Sequence, residues 1–228
     1  MRFTMEDFVM FVPAAGLGER VKARGVKPFI HVEEKDRNWL AINEVINMVP
    51  DEMDVEIAVR REMGCPPLGR ETVVHFIEPT SGQAQTVYRW LRTTRLRNFV
   101  LISNCDNVID RKSIIEGIQS LDYDKCPGVV FTFRPKQKND ERWSYVRKDG
   151  VGRILEIAEK RPISEDAVAG VYLLNMFNLC QSIHAEDVYL SEALARMPKL
   201  QARRAIEYKG WNDLNQLAEL EDGVRQYI

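Results

Sequence analysis

FVMFVPAAGLGERVKARGVKPFIHV, residues 8–32, is the stretch whose reading decides the fold. It opens with an apolar run, Phe8 to Val12, short enough to form one buried strand. The run breaks at Pro13 into small residues and two glycines, Gly16 and Gly18, and then presents Arg20 and Lys27. A strand feeding a glycine-rich turn draws backbone N–H groups and cations toward one point, which suits phosphates. An ordinary strand-to-helix turn with a surface cation pair fits the same residues. The segments downstream decide between the two.

Working outward, Val32 to Asn38 is charged and reads as a turn, and Ala41 to Val49 has helical apolar spacing. Strands are expected over Asp54 to Arg60 and Thr72 to Glu78. A helix starts near Ser81 or Gly82, with Ala84, Val87, Tyr88 and Leu91 on one face. Asn98 begins a strand that ends in a polar knot, Asn104-Cys105-Asp106-Asn107. A helix over Arg111 to Leu121 carries the stripe Ile114, Ile115, Ile118 and Leu121, and GVVFTFRP follows as a strand. This strand–helix alternation favours a mixed, mainly parallel central sheet covered on both faces, a single α/β Rossmann-like domain. The second half changes rhythm. WSYVRKDGVGRILEIAEK reads as an inserted β-hairpin about Asp149-Gly150. A strand from Val168, helices over Asn175 to Ser182 and Asp187 to Met197, a strand over Gln201 to Tyr208 and a helix over Asp213 to Tyr227 complete the chain.

The 228 residues and 45% apolar content suit one such domain with a proper core. A formal net charge of −2 makes no electrostatic case for nucleic acid or an anionic membrane, so a phosphate ligand would be held by local cations. No apolar run approaches a bilayer span, and Glu6 and Asp7 argue against a signal peptide, so a cytoplasmic location is expected. Cys65, Cys105, Cys126 and Cys180 lack metal-ligand spacing and read as reduced thiols.

In open α/β sheets, ligands bind outside the carboxyl ends of the strands. Three polar clusters fall there: the opening loop, Glu78 to Gln85, and the knot around Asp106. An acid ending an apolar strand calls for a partner, and a divalent cation is a good one. Asp106 also fits a turn or helix cap.

The order VPAAGLGER…KP, TSGQAQT, NCDN, EK, GVY, WND resembles the nucleotidyltransferase family that joins a nucleoside triphosphate to a sugar phosphate, over nearly the whole chain. The stretch from Trp143 to Asn175 is similar to a capsule-associated, polysaccharide-biosynthetic branch that includes cytidylyltransferases with non-sugar acceptors. The resemblance implies the nucleotide-diphospho-sugar transferase fold, Mg²⁺ as cofactor, and transfer of a nucleotidyl group to a small phosphorylated acceptor with release of pyrophosphate. It leaves a homo-oligomer open. It implies a nucleotide half (about 8–135) and an acceptor half (about 136–228). Ala14, Ala15, Gly16 and Gly18 would wrap the nucleotide, with Glu78, Gly82 and Gln83 near the base. Arg20 would meet the β- and γ-phosphates and Lys27 the α-phosphate. Asp106 and Asp213 would hold the metal. Trp143, Ser144, Glu159, Lys160 and Gly170 would face the acceptor.

Each of these has an ordinary reading beside it. Asp213 suits a helix N-cap, Glu159-Lys160 a solvated strand end, Gly170 tight strand packing, and Trp143 the core. Two positions depart from the family pattern. Ser144 stands where glycine is common, and Glu19 stands where Ser or Thr is frequent, with Lys22 and Arg24 as candidate partners. A glutamate such as Glu78 can accept from cytosine or guanine but repels uracil's carbonyls. CTP is favoured by the resemblance, with UTP and GTP as alternatives. A catalytically silent nucleotide-binding subunit and a related-fold glycosyltransferase are the competing functions. A Rossmann dehydrogenase fits poorly, because Val21 stands where GxGxxG needs a small residue.

Overall fold

The computed structural model describes residues 3–16, 18–34, 37–122, 126–137 and 139–222. In chain order the strands are β1 (Phe8–Pro13), β2 (His31–Glu34), β3 (Arg37–Leu40), β4 (Asp54–Arg60), β5 (Val73–Ile77), β6 (Phe99–Ser103), β7 (Asn107–Ile109), β8 (Gly128–Phe133), β9 (Tyr145–Lys148), β10 (Ile154–Ala158), β11 (Ala167–Asn175), β12 (Gln201–Arg204) and β13 (Tyr208–Gly210). The helices are α1 (Ala41–Ile46), α2 (Gln83–Leu91), α3 (Arg111–Gln119), α4 (Met176–Ser182), α5 (Leu190–Arg196) and α6 (Leu214–Glu221).

β1 is central because it is apolar on both faces. Phe8, Met10 and Val12 enter one core with α1, α3 and α6. Val9 and Phe11 enter the other, under α2, α4 and α5, where Phe11 stacks on Trp90 at 4.0 Å. β1 pairs in parallel with β4 and β6, and β4 with β5. The antiparallel strand β11 joins this half to β8 and β9, and β12 adds to β8 in parallel. β11 is buried along its whole length, so its outward and inward side chains serve both cores. The mixed, helix-flanked sheet expected from the sequence is the sheet observed.

Several details differ. Residues 31–34 and 37–40 form the paired strands β2 and β3 rather than a turn, since His31 to Glu34 pair in register with Leu40 to Arg37. Residues 201–210 make two strands that join different sheets, β12 on β8 and β13 on β7. The β9–β10 connection spans five residues. Asp149 Oδ1 accepts from the amides of Val151 (3.0 Å) and Arg153 (2.8 Å), and the left-handed position is Gly152 rather than Gly150. Helix α5 starts at Leu190, three residues later than Asp187, whose carboxylate instead caps the turn at His184 (2.8 Å). Ile115 points outward from α3. The expected end of the last helix, beyond Asp222, lies outside the described residues.

Candidate active site

The carboxyl ends of β1, β5 and β6 open onto a cavity of about 440 Å³. Its walls are the glycine loop (Ala14, Gly16, Gly18), Arg20, Lys27, the turn Thr80–Gln83 and the knot Asn104–Asp106. A second cavity of about 210 Å³ adjoins it, lined by Arg142 to Ser144, Glu159, Lys160, Gly170, Tyr172 and Tyr189 to Ser191. Arg20, Gln83, Asn104 and Asn212 line both, so they form the seam between the two cavities.

The glycine loop works through packing as well as openness. Gly18 has φ +64°, and a Cβ there would lie 2.7 Å from the Cβ of Lys27. Its missing side chain is therefore the space that Lys27 crosses. Val21, fully buried, pins the following turn (Glu19–Arg24) into the core. Lys27 forms an ion pair with Asp106, and both side chains are nearly buried. Burial alone would lower the Lys27 pKa, but the facing carboxylate of Asp106 outweighs it, and the ammonium sits above its ordinary value. Burial, reinforced by Asp106, pushes the Cys105 thiol up to about 12, so it stays protonated and inert. Arg20 is exposed and has no ion-pair partner among the described residues.

Asp106 is fixed from both sides. Its carbonyl accepts from the amide of Trp211 (3.0 Å), and the neighbouring Asn104 amide donates to Gly170 O (2.9 Å). The β13–β7 ladder pairs Gly210 with Asn107, which brings the 211–213 segment alongside the Asp106 loop. Asp213 caps α6, with Oδ1 accepting from Gln216 N (3.0 Å), while Oδ2 accepts from Arg142 (2.8 Å). Asn107, buried between them, accepts from Tyr208 Oη (3.0 Å) and from Asn212 Nδ2 (3.1 Å). Asp106 and Asp213 thus stand on adjoining segments with carboxamides around them, and they are the residues that would hold a magnesium ion. Mg²⁺ commonly takes one or two carboxylates and completes its shell with waters and phosphates. Among the described residues no group of three or more His, Cys, Asp or Glu gathers that could hold a metal ion by itself.

In the second cavity, Glu159 accepts from both Ser144 Oγ (2.5 Å) and Ser191 Oγ (2.8 Å). The Ser144 hydroxyl thus orients the acid. Lys160 takes positive φ (+52°) and lays its ammonium over Tyr189, with Nζ 3.2 Å from the hydroxyl. Gly170 has φ +72°, and a methyl there would collide with the carboxamides of Asn104 and Asn107. It is needed for strand packing and lines the cavity as well. Trp143 also holds two roles: it lines the cavity, yet is buried edge-on against Phe133 with its indole N–H on Asp140 (3.0 Å). Tyr145 is core.

Of the residues expected from the sequence, two lie away from the cavities. Glu78 is exposed beyond β5 and lines neither, and its carbonyl accepts from Arg89 (3.1 Å). Ala15 is buried and lines neither. Gly82 is on the wall, but a Cβ there would overlap the Val188 backbone, so packing by itself demands glycine. Glu19 pairs with Lys22 (3.6 Å), whereas Arg24 turns away to Glu221 (2.6 Å). Sequence reading missed Arg142, Tyr189 and Ser191. Their positions follow from contacts across tens of residues, and Arg142 is marked only by standing beside Trp143.

A parallel set of strands (β1, β4, β5 and β6) and an antiparallel set (β8, β9, β10 and β11) thus meet beside the two adjoining cavities. Among solved structures, the chain is similar to a Bacillus anthracis protein provisionally described as a glucose-1-phosphate thymidylyltransferase, in complex with sucrose. The TM-score is 0.73 at 16% identity, over 97% of this chain and 96% of that one. It is also similar to HddC from Yersinia pseudotuberculosis, with TM-score 0.67 at 14% identity, over 92% and 96%. At these identities the likeness is one of fold. No family model matches the chain, and no characterised protein matches it in sequence.

Proposed function

We propose that the chain is a nucleotidyltransferase that moves a nucleoside monophosphate from a nucleoside triphosphate to a small phosphorylated acceptor and releases pyrophosphate. The observation that carries the reading is the pair of cavities meeting at a seam that carries Arg20, with Lys27 and Asp106 on one side and Glu159 and Lys160 on the other. The description carried by the Bacillus anthracis fold neighbour agrees with the reaction type.

The chemistry needs no general base, because the nucleophile is an oxygen of an ionised phosphate. That oxygen forms a bond to the α-phosphorus as the bond to the bridging oxygen breaks, and the electron pair leaves with pyrophosphate. The obstacle is bringing two polyanions into line. Arg20 would hold the β- and γ-phosphates, and Lys27 the α-phosphate. Lys160 would bind the acceptor phosphate, and Glu159, set by Ser144 and Ser191, would accept from an acceptor hydroxyl or amine. A magnesium ion held by Asp106 and Asp213 would neutralise charge on the phosphates. Glu78 does not support a base assignment, so CTP rests on the capsule-type resemblance alone. The thymidylyl description of the Bacillus anthracis neighbour makes dTTP a necessary member of any screen.

A thermal-shift screen of nucleoside triphosphates with Mg²⁺ comes first, since a ligand at ~100 times its dissociation constant stabilises by roughly 2.7 kcal/mol. With the matching triphosphate and a panel of phosphorylated acceptors, pyrophosphate release is expected. Lys27→Met and Asp106→Ala should each lower it by about 10²–10³-fold, or ~3–4 kcal/mol. Nucleotide binding without pyrophosphate from any acceptor would instead favour a silent regulatory subunit.

A further inference from the structure

Arg142 belongs to none of the sequence motifs, yet it has the most structured environment of any cation at the site. One edge of its guanidinium is anchored: Nε donates to both oxygens of Asp140 (2.9 and 3.0 Å) and a terminal nitrogen to Asp140 Oδ2 (2.7 Å). Asp140 is buried, and is held in turn by the amide of Arg142 (3.1 Å) and the indole N–H of Trp143 (3.0 Å). The remaining terminal nitrogen reaches out to Asp213 Oδ2 at 2.8 Å. Because Oδ1 is committed to capping α6, Oδ2 is the oxygen that Asp213 has left to offer a ligand. Arg142 thus covers that oxygen while lining the acceptor cavity, with 42% of its side chain exposed.

We infer that Arg142 is a positioning residue that guards Asp213 until a phosphate enters the acceptor cavity, so that divalent-cation binding and acceptor binding are coupled. The inference rests on the reading of Asp106 and Asp213 as metal ligands. A cation arriving at Asp213 meets the like charge of the guanidinium. An acceptor phosphate offers the nitrogen on Asp213 a second anionic partner, and the Asp140 fork keeps the group within reach of both. Moving that nitrogen from carboxylate to phosphate frees Oδ2 for the metal at the moment both substrates are present. Coupling of this kind is reciprocal: whatever factor phosphate adds to metal affinity, metal adds to phosphate affinity.

The test uses Mn²⁺ as the probe, titrated by electron paramagnetic resonance, with and without inorganic phosphate and with a protein-free control. In the unmodified protein, phosphate should tighten Mn²⁺ binding by at least about fivefold, the lower end of typical coupling. In Arg142→Met, Mn²⁺ should bind tighter by a similar factor without phosphate, and phosphate should add nothing. Arg142→Lys keeps the charge and loses the fork, so its affinity should fall between the two. Asp213→Asn should erase the difference between arginine and methionine. If Arg142→Met matches the unmodified protein with and without phosphate while binding still depends on Asp106, Arg142 is a strut. The coupling is then refuted and the transferase reading stands. If the methionine variant does not fold, unmodified affinity in Arg142→Lys overturns the inference. Absence of any Asp106-dependent Mn²⁺ binding sinks the metal reading and the inference together.

Discussion

Lys27 and Gly18 show how far a single residue can be read from the sequence. Lys27 could be nominated because it follows a glycine turn after a buried strand, where cations and N–H groups converge. That it crosses the space above Gly18 could not, because that is a side-chain path rather than a pattern. Gly82 makes the same point. Its glycine is required by the backbone at Val188, more than a hundred positions away in the chain. The Gly18 contact makes a specific claim testable. Gly18→Ala places a Cβ on the Lys27 side chain and forces a non-glycine residue to φ +64°. A left-handed residue costs about 1–3 kcal/mol, and each kcal/mol lowers the melting temperature of a domain this size by about 2–4 °C. Scanning calorimetry should record that drop, and pyrophosphate release should fall further than stability alone explains, because Lys27 must move. An unchanged melting temperature would show that the loop relaxes freely and that Gly18 serves only ligand approach.

At the scale of elements, continuous apolar runs were legible and short charged strands were not. β1, β6, β8 and β11 are buried on both faces, and nothing but a strand fits so brief an apolar run bounded by polar turns. The β2–β3 pairing was missed because its strands are four residues each and rich in charge, so they carry no periodicity to read. β12 and β13 were fused because the break at residues 205–207 shows only as backbone geometry: the amides of Ile206 and Glu207 turn onto Asp110 at 3.0 Å each. Helix α6 carries the most informative ambiguity, since Asp213 was readable both as cap and as ligand. The cap is present, and the two roles separate by substitution. Asn caps as well as Asp does, whereas Ala costs about 1 kcal/mol. Asp213→Asn should therefore keep near-native stability in urea melts while pyrophosphate release falls by at least tenfold, and Asp213→Ala should lose both. Full turnover in the asparagine variant would leave Asp213 a cap and nothing more.

Across the whole molecule, the sheet is tied laterally by carboxylates whose partners come from separate elements. Glu56 on β4 accepts from His75 on β5 (2.6 Å), from Trp90 on α2 (2.7 Å) and from Thr94 beyond it (3.1 Å). Asp166 joins Arg204 (2.6 Å) and Lys148 (3.0 Å), which locks β12 and β9 to the start of β11. For Glu56, burial alone would raise the pKa, but the hydrogen bonds from His75, Trp90 and Thr94 outweigh it and hold the carboxyl below its ordinary 4.5. For Asp166, burial is likewise outweighed by Arg204 and Lys148, and the carboxyl lies below 3.8. A carboxyl with a lowered folded-state pKa binds protons more readily when unfolded. Its stabilisation is fully present above the unfolded value and is lost as pH falls through the folded one. Stability should therefore hold steady as pH falls to about 5 as far as these groups are concerned, and then decline below the ordinary carboxylate values. Glu56→Gln isolates one contribution. The variant should be less stable than the unmodified protein at pH 5.5, and the gap should close toward pH 3, where the protonated acid and the amide become alike. Urea melts across that range measure the gap directly. A gap of constant size would mean that Glu56 stabilises the β4–β5–α2 corner through shape and packing, with its charge contributing nothing.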